Sequence, residues 1–186
     1  RKVILSAIKN KNINLSNNLK INVIKETAKI KRLSPLITLK KARINSQEVT
    51  KNDIFFAIKG KKKDGNKFVA QSFKRKASLA VVNKIQNKFN NNRQIKVKNT
   101  LKFLTNVSKI FRKSIDTNII AITGSCGKTT LKELLGNTLN KISKVSISPK
   151  SYNNKFGVPL SLFNINQKDE FGILEVGMDK KGEIDY

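Results

Sequence analysis

The chain has 186 residues and carries 39 lysines and arginines against 12 aspartates and glutamates, a net charge of +27. That length suffices for one or two domains with a proper core, and no apolar run nears the roughly 18 residues that a membrane-spanning helix needs. The single cysteine, Cys126, excludes an internal disulfide, and with no histidine to activate it this residue reads as a small filler rather than a nucleophile.

The charge points two ways. A basic chain invites a nucleic-acid reading. Lysine and asparagine, however, run through every segment, including Lys9-Asn10-Lys11-Asn12 and Asn90-Asn91-Asn92, and no zinc-ligand spacing, RNA-recognition motif or basic zipper accompanies them. The spread reads as compositional bias, with anionic ligands as a second contributor. The opening residues, Arg1-Lys2-Val3-Ile4-Leu5-Ser6, lead quickly to Lys9 and Lys11 and lack the shape of a signal peptide. A reducing cytoplasm is the expected setting. The chain begins with Arg and stops at Tyr186, so a piece of a longer polypeptide is expected.

Residues 1–41 resist reading, being Lys/Asn-rich with short apolar patches and a break at Ser34-Pro35. Order is clearer from Val49. Asp53-Ile54-Phe55-Phe56-Ala57-Ile58 predicts a buried strand, Lys59 to Gly65 a polar turn, Phe68, Val69 and Phe73 a helix, and Leu79-Ala80-Val81-Val82 a second buried strand. Residues 83–94 predict a loop. Asn99-Thr100 predicts the cap of a helix with Leu101, Leu104, Val107, Ile110 and Phe111 along it. A second domain is expected from about residue 116, with strands at 119–123, 144–148 and 171–176 and helices at 128–141 and near 158–164. Alternating strands and helices predict an α/β fold: a mostly parallel sheet with helices on both faces and ligands at the carboxyl ends of its strands.

Three groups of residues carry chemistry. In Thr123-Gly124-Ser125-Cys126-Gly127-Lys128-Thr129-Thr130, an apolar strand runs into a glycine loop and then a helix, with Leu131, Leu134, Leu135 and Leu139 at helical spacing. Such a loop brings backbone N–H groups to phosphate oxygens, Lys128 to the β/γ-phosphates of ATP or GTP, and the Thr129 hydroxyl to Mg²⁺. It is a shortened P-loop, because Ile122 stands where the full pattern has glycine. Asn153 and Asn154, beside Gly157 and Pro159, read either as a turn or as side-chain amides that hold nucleotide or substrate. Glu175 ends the apolar run Phe171-Gly172-Ile173-Leu174. It reads either as an edge glutamate facing water or as a buried carboxylate kept there by Mg²⁺.

In order and spacing these groups resemble the Mur ligase family. The carrying residues are 123–130, Tyr152-Asn153-Asn154 with Gly157-Val158-Pro159, and Glu175-Val176-Gly177-Met178 with Gly182-Glu183-Ile184. Within the family, the Tyr-Asn-Asn-x-x-Gly-Val-Pro string is more similar to the branch that adds a dipeptide than to the branch that adds the third stem-peptide residue. Ser46, Gly60 and Asp64-Gly65, around the strand at 53–58, are similar to the family's UDP-binding domain. The resemblance covers residues 42–186. It implies a small UDP-substrate domain at 1–98, a connecting helix at 99–115 and an incomplete central ATP-binding domain at 116–186.

The resemblance also implies a reaction of peptidoglycan precursor synthesis. ATP phosphorylates the terminal carboxylate of a UDP-N-acetylmuramoyl tripeptide, and the amine of D-alanyl-D-alanine attacks the acyl phosphate. Lys128 and Glu175 are then catalytic. Gly124, Ser125, Cys126, Gly127, Lys128, Thr129 and Thr130 bind ATP, and Thr129 and Glu175 hold Mg²⁺. Ser46, Asp64, Gly65, Asn153 and Asn154 touch substrate. A cytoplasmic monomer with no specific nucleic-acid partner is implied, and this stretch alone is expected not to ligate. The chain departs from the family at Asp179-Lys180, where Asn-His is frequent; a protonated lysine is no metal ligand. It departs again at Asn45-Ser46-Gln47 and Asp64-Gly65-Asn66, where the family often has Asp-Ser-Arg and Asp-Gly-His. The rival from another class is a basic P-loop protein that binds nucleic acid.

Overall fold

The computed structural model describes residues 15–30, 33, 37–60, 63–149 and 152–177. Two parallel sheets lie along the chain. The first has the order β1-β2-β3-β4, from strands β1 (Ala42–Arg43), β2 (Ile54–Phe56), β3 (Leu79–Val82) and β4 (Gln94–Lys96). The helices of this half are α1 (Leu15–Ala28), α2 (Val69–Lys74) and α3 (Thr100–Lys113).

Strands β2 and β3 are buried at every position, as expected of parallel strands covered on both faces. Alternation sends Ile54, Phe56, Leu79 and Val81 to one face, against α1 and α3. Phe55, Ala80 and Val82 go to the other, against Val49, Val69 and Ala77. Helix α3 starts where Asn99 accepts a hydrogen bond from the Lys102 N–H at 2.9 Å, the expected N-cap. Its inner side buries Phe103, Leu104, Val107 and Phe111.

The second sheet has the order β5-β7-β6, from β5 (Asn118–Ile122), β6 (Val145–Ile147) and β7 (Phe171–Glu175), all parallel. Helix α4 (Lys128–Leu139) carries the chain from β5 over β7 to β6, and α5 (Gly157–Phe163) brings it back to β7. Right-handed crossovers that step in opposite directions place their helices on opposite faces. The neighbours agree: Gly136 of α4 lies against Ile147 and Ile173, whereas Gly172, on the other face of β7, lies against Ile119 and Ile165. The α/β class and mostly parallel pairing expected from the sequence are what the chain forms.

One core runs through both halves. Phe56, Phe103 and Phe111 join Leu160, Phe163, Ile165 and Leu174 in a single apolar cluster, with the Phe111 and Phe163 rings edge to face at 5.3 Å. Polar contacts tie the same seam. Asn164, just past α5, accepts from the Ala42 N–H at 2.6 Å and donates to the Ala42 carbonyl at 2.9 Å. Its amide therefore extends the first sheet past the edge strand β1. Ser108 Oγ lies 2.7 Å from the Pro159 carbonyl in the first turn of α5.

Three expectations need correction. Residues 15–28, left unread, form α1, and 42–43 form β1. The stretch read as a loop over 83–94 closes on β4, a strand with one central apolar residue, Ile95. The helix after the glycine loop is present, but Leu131 is 51% and Leu134 64% exposed; the residues it buries are Lys132 and Gly136 instead. The break at Ser34-Pro35 lies outside the described residues.

Replacing Asn164 with Ala leaves the N–H and carbonyl of fully buried Ala42 without that partner. At roughly 1–3 kcal/mol per orphaned buried group, urea unfolding should show a loss of about 2–6 kcal/mol. A loss indistinguishable from zero would show that the clamp does not join the sheets.

Candidate functional site

The carboxyl ends of β5, β6 and β7 meet at Glu175. Strands β5 and β7 stay in register to their last pair, Ile122 with Glu175, and the next N–H, of Val176, donates to the Ile122 carbonyl at 2.9 Å. Glu175 is thus level with the start of the glycine loop. In that loop Gly124 has φ 147° and Gly127 φ 75°, values that strain any residue with a Cβ. Gly127 caps α4 with no side-chain bond, and no acidic residue sits in the first turn. The first N–H groups of α4, which lack intrahelical acceptors, therefore face an electropositive opening. Lys128 folds back over the loop, its Nζ donating to the Gly124 carbonyl at 2.6 Å.

Glu175 is 1% exposed. Thr129 Oγ1 donates to its Oε2 at 2.9 Å, Asn153 Nδ2 to its Oε1 at 2.8 Å, and Lys132 Nζ lies 3.4 Å from Oε2. Burial pushes the Glu175 carboxyl up, but the bonds from Thr129, Asn153 and Lys132, with the Lys132 charge, outweigh it and hold the pKa below its ordinary value. The sequence reading of Glu175 as an edge glutamate facing water is therefore wrong. The other reading, a buried carboxylate, is the one the chain adopts, with the Lys132 ammonium as a cation beside it.

The two asparagines part company. Asn153 faces Glu175, and its backbone carbonyl accepts from the Gly177 N–H at 2.7 Å. Asn154 Oδ1 accepts from the N–H groups of Phe156 and Gly157, both at 3.0 Å, and so shapes the entry to α5. Thr130, Ser125 and Cys126 are exposed along the loop and first turn.

Ser46, Asp64 and Gly65 sit in the first half. Ser46 is buried, and its Oγ donates to Gln71 Oε1 at 2.6 Å. Asp64 accepts from the N–H and the amide of Asn66, which hold its pKa below the ordinary value. Gly65 lies so close under Ala57 and Ile58 that a Cβ would strike their backbone. No described hydrogen bond joins these three residues to Glu175. A link runs through their neighbours: Tyr152 Oη donates to Glu48 Oε2 at 3.4 Å, connecting the turn of Ser46 to the loop of Asn153. Met178, Asp179, Lys180 and residues 182–184 lie outside the described residues.

Lys132 is the residue that sequence reasoning missed. It is fully buried. Its signal was the 129, 132, 136 spacing, which places it on the Thr129 side of α4.

The model of the Mur ligase middle domain matches residues 122–186, from the end of β5 onward. The chain belongs to the Mur ligase family. It is 32% identical over 154 residues to the UDP-N-acetylmuramoyl-tripeptide–D-alanyl-D-alanine ligase of Haemophilus influenzae, covering 81% of this chain and 34% of that protein. To the enzyme of the same name from Buchnera aphidicola it is 34% identical over 143 residues, covering 77% and 31%. Among solved structures, an Acinetobacter baumannii ligase of this kind superposes with TM-score 0.74 at 29% identity over 89% of this chain and 37% of that one. The Thermotoga maritima MurF ligase in complex with ADP gives 0.63 at 30% identity over 78% and 34%. The chain spans about a third of the length of the curated relatives it matches.

Lys132→Met leaves Glu175 buried without its ammonium partner. Breaking such a pair costs about 3–5 kcal/mol, readable as lost urea stability at neutral pH. The double variant Lys132→Met with Glu175→Gln should recover a large part of that loss. Additive losses in the double-mutant cycle would contradict the pairing.

Proposed function

We propose that this chain is the nucleotide- and substrate-binding part of an ATP-dependent ligase that joins D-alanyl-D-alanine to a UDP-N-acetylmuramoyl tripeptide in peptidoglycan precursor synthesis. The observation that carries the reading is the convergence of Thr129, Lys132 and Asn153 on buried Glu175, beside a glycine loop that opens a helix. Residues 1–98 would hold the UDP end, 99–115 connect, and 116–186 begin the ATP-binding domain.

The chemistry needed is neutralisation of charge on a transferring phosphoryl group. Gly124, Ser125, Cys126 and Gly127 would present backbone N–H groups to the phosphates, with Lys128 and the N–H groups of Thr129 and Thr130 completing the cradle. Mg²⁺ in such sites is commonly held by one or two carboxylates, with phosphates and water filling its shell. One carboxylate, Glu175, and one hydroxyl, Thr129, are adjacent here, so the residues present fit that mode. The ion would neutralise phosphate charge. Lys132 and Asn153 fix the rotamer of Glu175 and keep it ionised. Asn153, with Asn154 beside it, would also face the substrate, and Ser46 with the Asp64-Gly65 turn would meet the UDP end. Acyl phosphate formation on the tripeptide carboxylate, then attack by the dipeptide amine, completes the proposed reaction.

Among the described residues no helix is long and apolar enough to cross a membrane. Nucleotide-linked substrates place the proposed reaction in the bacterial cytoplasm, and the proposed acting species is a monomer.

The test is phosphate release by the complete polypeptide with ATP, UDP-N-acetylmuramoyl tripeptide and D-alanyl-D-alanine. Release should require all three, and Lys128→Ala should lower kcat/KM by about 10²–10³, the scale of losing one preorganised charge-stabilising donor. Turnover with a single diamino acid and a UDP-dipeptide instead would move the chain to the third-residue branch. Tight, steeply salt-dependent binding of unrelated DNA with no turnover would favour the nucleic-acid rival.

A further inference from the structure

Away from the glycine loop, a cavity opens at the seam between the two sheets, with a volume of about 360 Å³. That lies at the lower end of the range for small-molecule sites, roughly 300–1,000 Å³. Lys20 of α1, with Lys40 and Lys41 before β1, forms its basic wall. Leu39 and Phe111 give an apolar floor, and Asn166 and Gln167, past α5, supply an amide rim. None of these residues belongs to the Glu175 cluster.

Lys20 is buried. Its Nζ lies 5.6 Å and 5.5 Å from the ring centroids of Phe111 and Phe163 and donates to the Lys40 carbonyl at 2.9 Å. An ammonium has three donors, and among the described residues that carbonyl is its one hydrogen-bonded oxygen. A buried cation calls for an anion. Asp53 acts on it electrostatically, but the Asp53 oxygens are already taken by the N–H groups of Lys41 and Thr50, by Thr50 Oγ1 and by Arg43 Nε. Burial, then the positive charge of Lys41, push Lys20 down to about 8 against the pull of Asp53. The ammonium is thus poorly compensated and borders a cavity that other lysines share.

We propose that this cavity binds a small oxyanion carried on an apolar body, a phosphate monoester or a carboxylate, with the charged group against Lys20 and Lys41 and the body on Leu39 and Phe111. The ligand would touch α1, the approach to β1, α3 and the turn after α5 together, bracing the two sheets.

Phenyl phosphate and benzoate are the probes, titrated against thermal stability in a Lys128→Ala background so that the glycine loop does not take up phosphate. Both should raise Tm saturably. Phenyl phosphate should bind several-fold tighter than benzoate, because more than one ammonium faces the site, and inorganic phosphate more weakly than phenyl phosphate, because it lacks the apolar body. Adding Lys41→Ala, an exposed change that leaves the core intact, should weaken phenyl phosphate about tenfold, the scale of one charge-assisted hydrogen bond. Lys20→Met should abolish the saturable response. Should Lys20→Met fail to fold, Lys41→Ala decides. An unchanged affinity in Lys41→Ala, or no response to either probe up to about 10 mM, overturns the proposal.

Discussion

A carboxylate with 1% exposure sits at the end of β7, and the arrangement of the second sheet follows from keeping its charge tolerable. An ion of that kind cannot leave water without donors and a counter-charge. Thr129 and Lys132 come from one helix and Asn153 from the loop after β6. Supplying them fixes the rotation of α4. Its polar face must turn inward, so Leu131 and Leu134 are left facing out. Gly136 continues that inner face and lets the helix approach Ile147 and Ile173 closely enough for Thr129 to reach the acid. Charge satisfaction outranks the leucine pattern here, and the site and the helix orientation have one cause.

A buried ion pair of this type contributes little net stability against a well-packed apolar replacement, so its value lies in position. Glu175 is held in one rotamer, ionised, level with the opening of the glycine loop. The rest of the fold sustains that placement. Phe56, Phe103, Phe111 and Phe163 join both halves in one core. The Asn164 amide binds the second half to β1, and Tyr152 reaches Glu48 from the loop that carries Asn153. The first sheet thereby bears on the same loops that surround Glu175.

Much of this was legible in the residues. Buried strands such as 79–82 are unbroken apolar runs, and the 99–113 helix has both a cap and a clear apolar stripe, so local pattern and tertiary need agree. The glycine loop was legible because its chemistry forces its spelling. Elements whose stability is tertiary were not. Strand β1 is two residues long and exists by pairing with β2 and Asn164, while β4 has a single central apolar residue. Helix α1 hides Ile21, Val23 and Ile24 among lysines and asparagines. Lys132 was missed because a lysine among leucines reads as the wet side of a helix, and only the carboxylate on a strand 43 residues later reverses that. Of the paired asparagines, spacing could not say that Asn153 faces the acid while Asn154 shapes the start of α5.

The proposed role of Thr129, Glu175 and the 124–130 loop is to receive a metal–nucleotide phosphate group together. Mn²⁺ in place of Mg²⁺ tests it directly, through paramagnetic broadening of amide resonances in the complete polypeptide with ADP. Broadening should centre on Gly127 to Thr130 and on Val176, depend on ADP and weaken in Glu175→Gln. Broadening centred elsewhere, or the same around Glu175 without nucleotide, would contradict it.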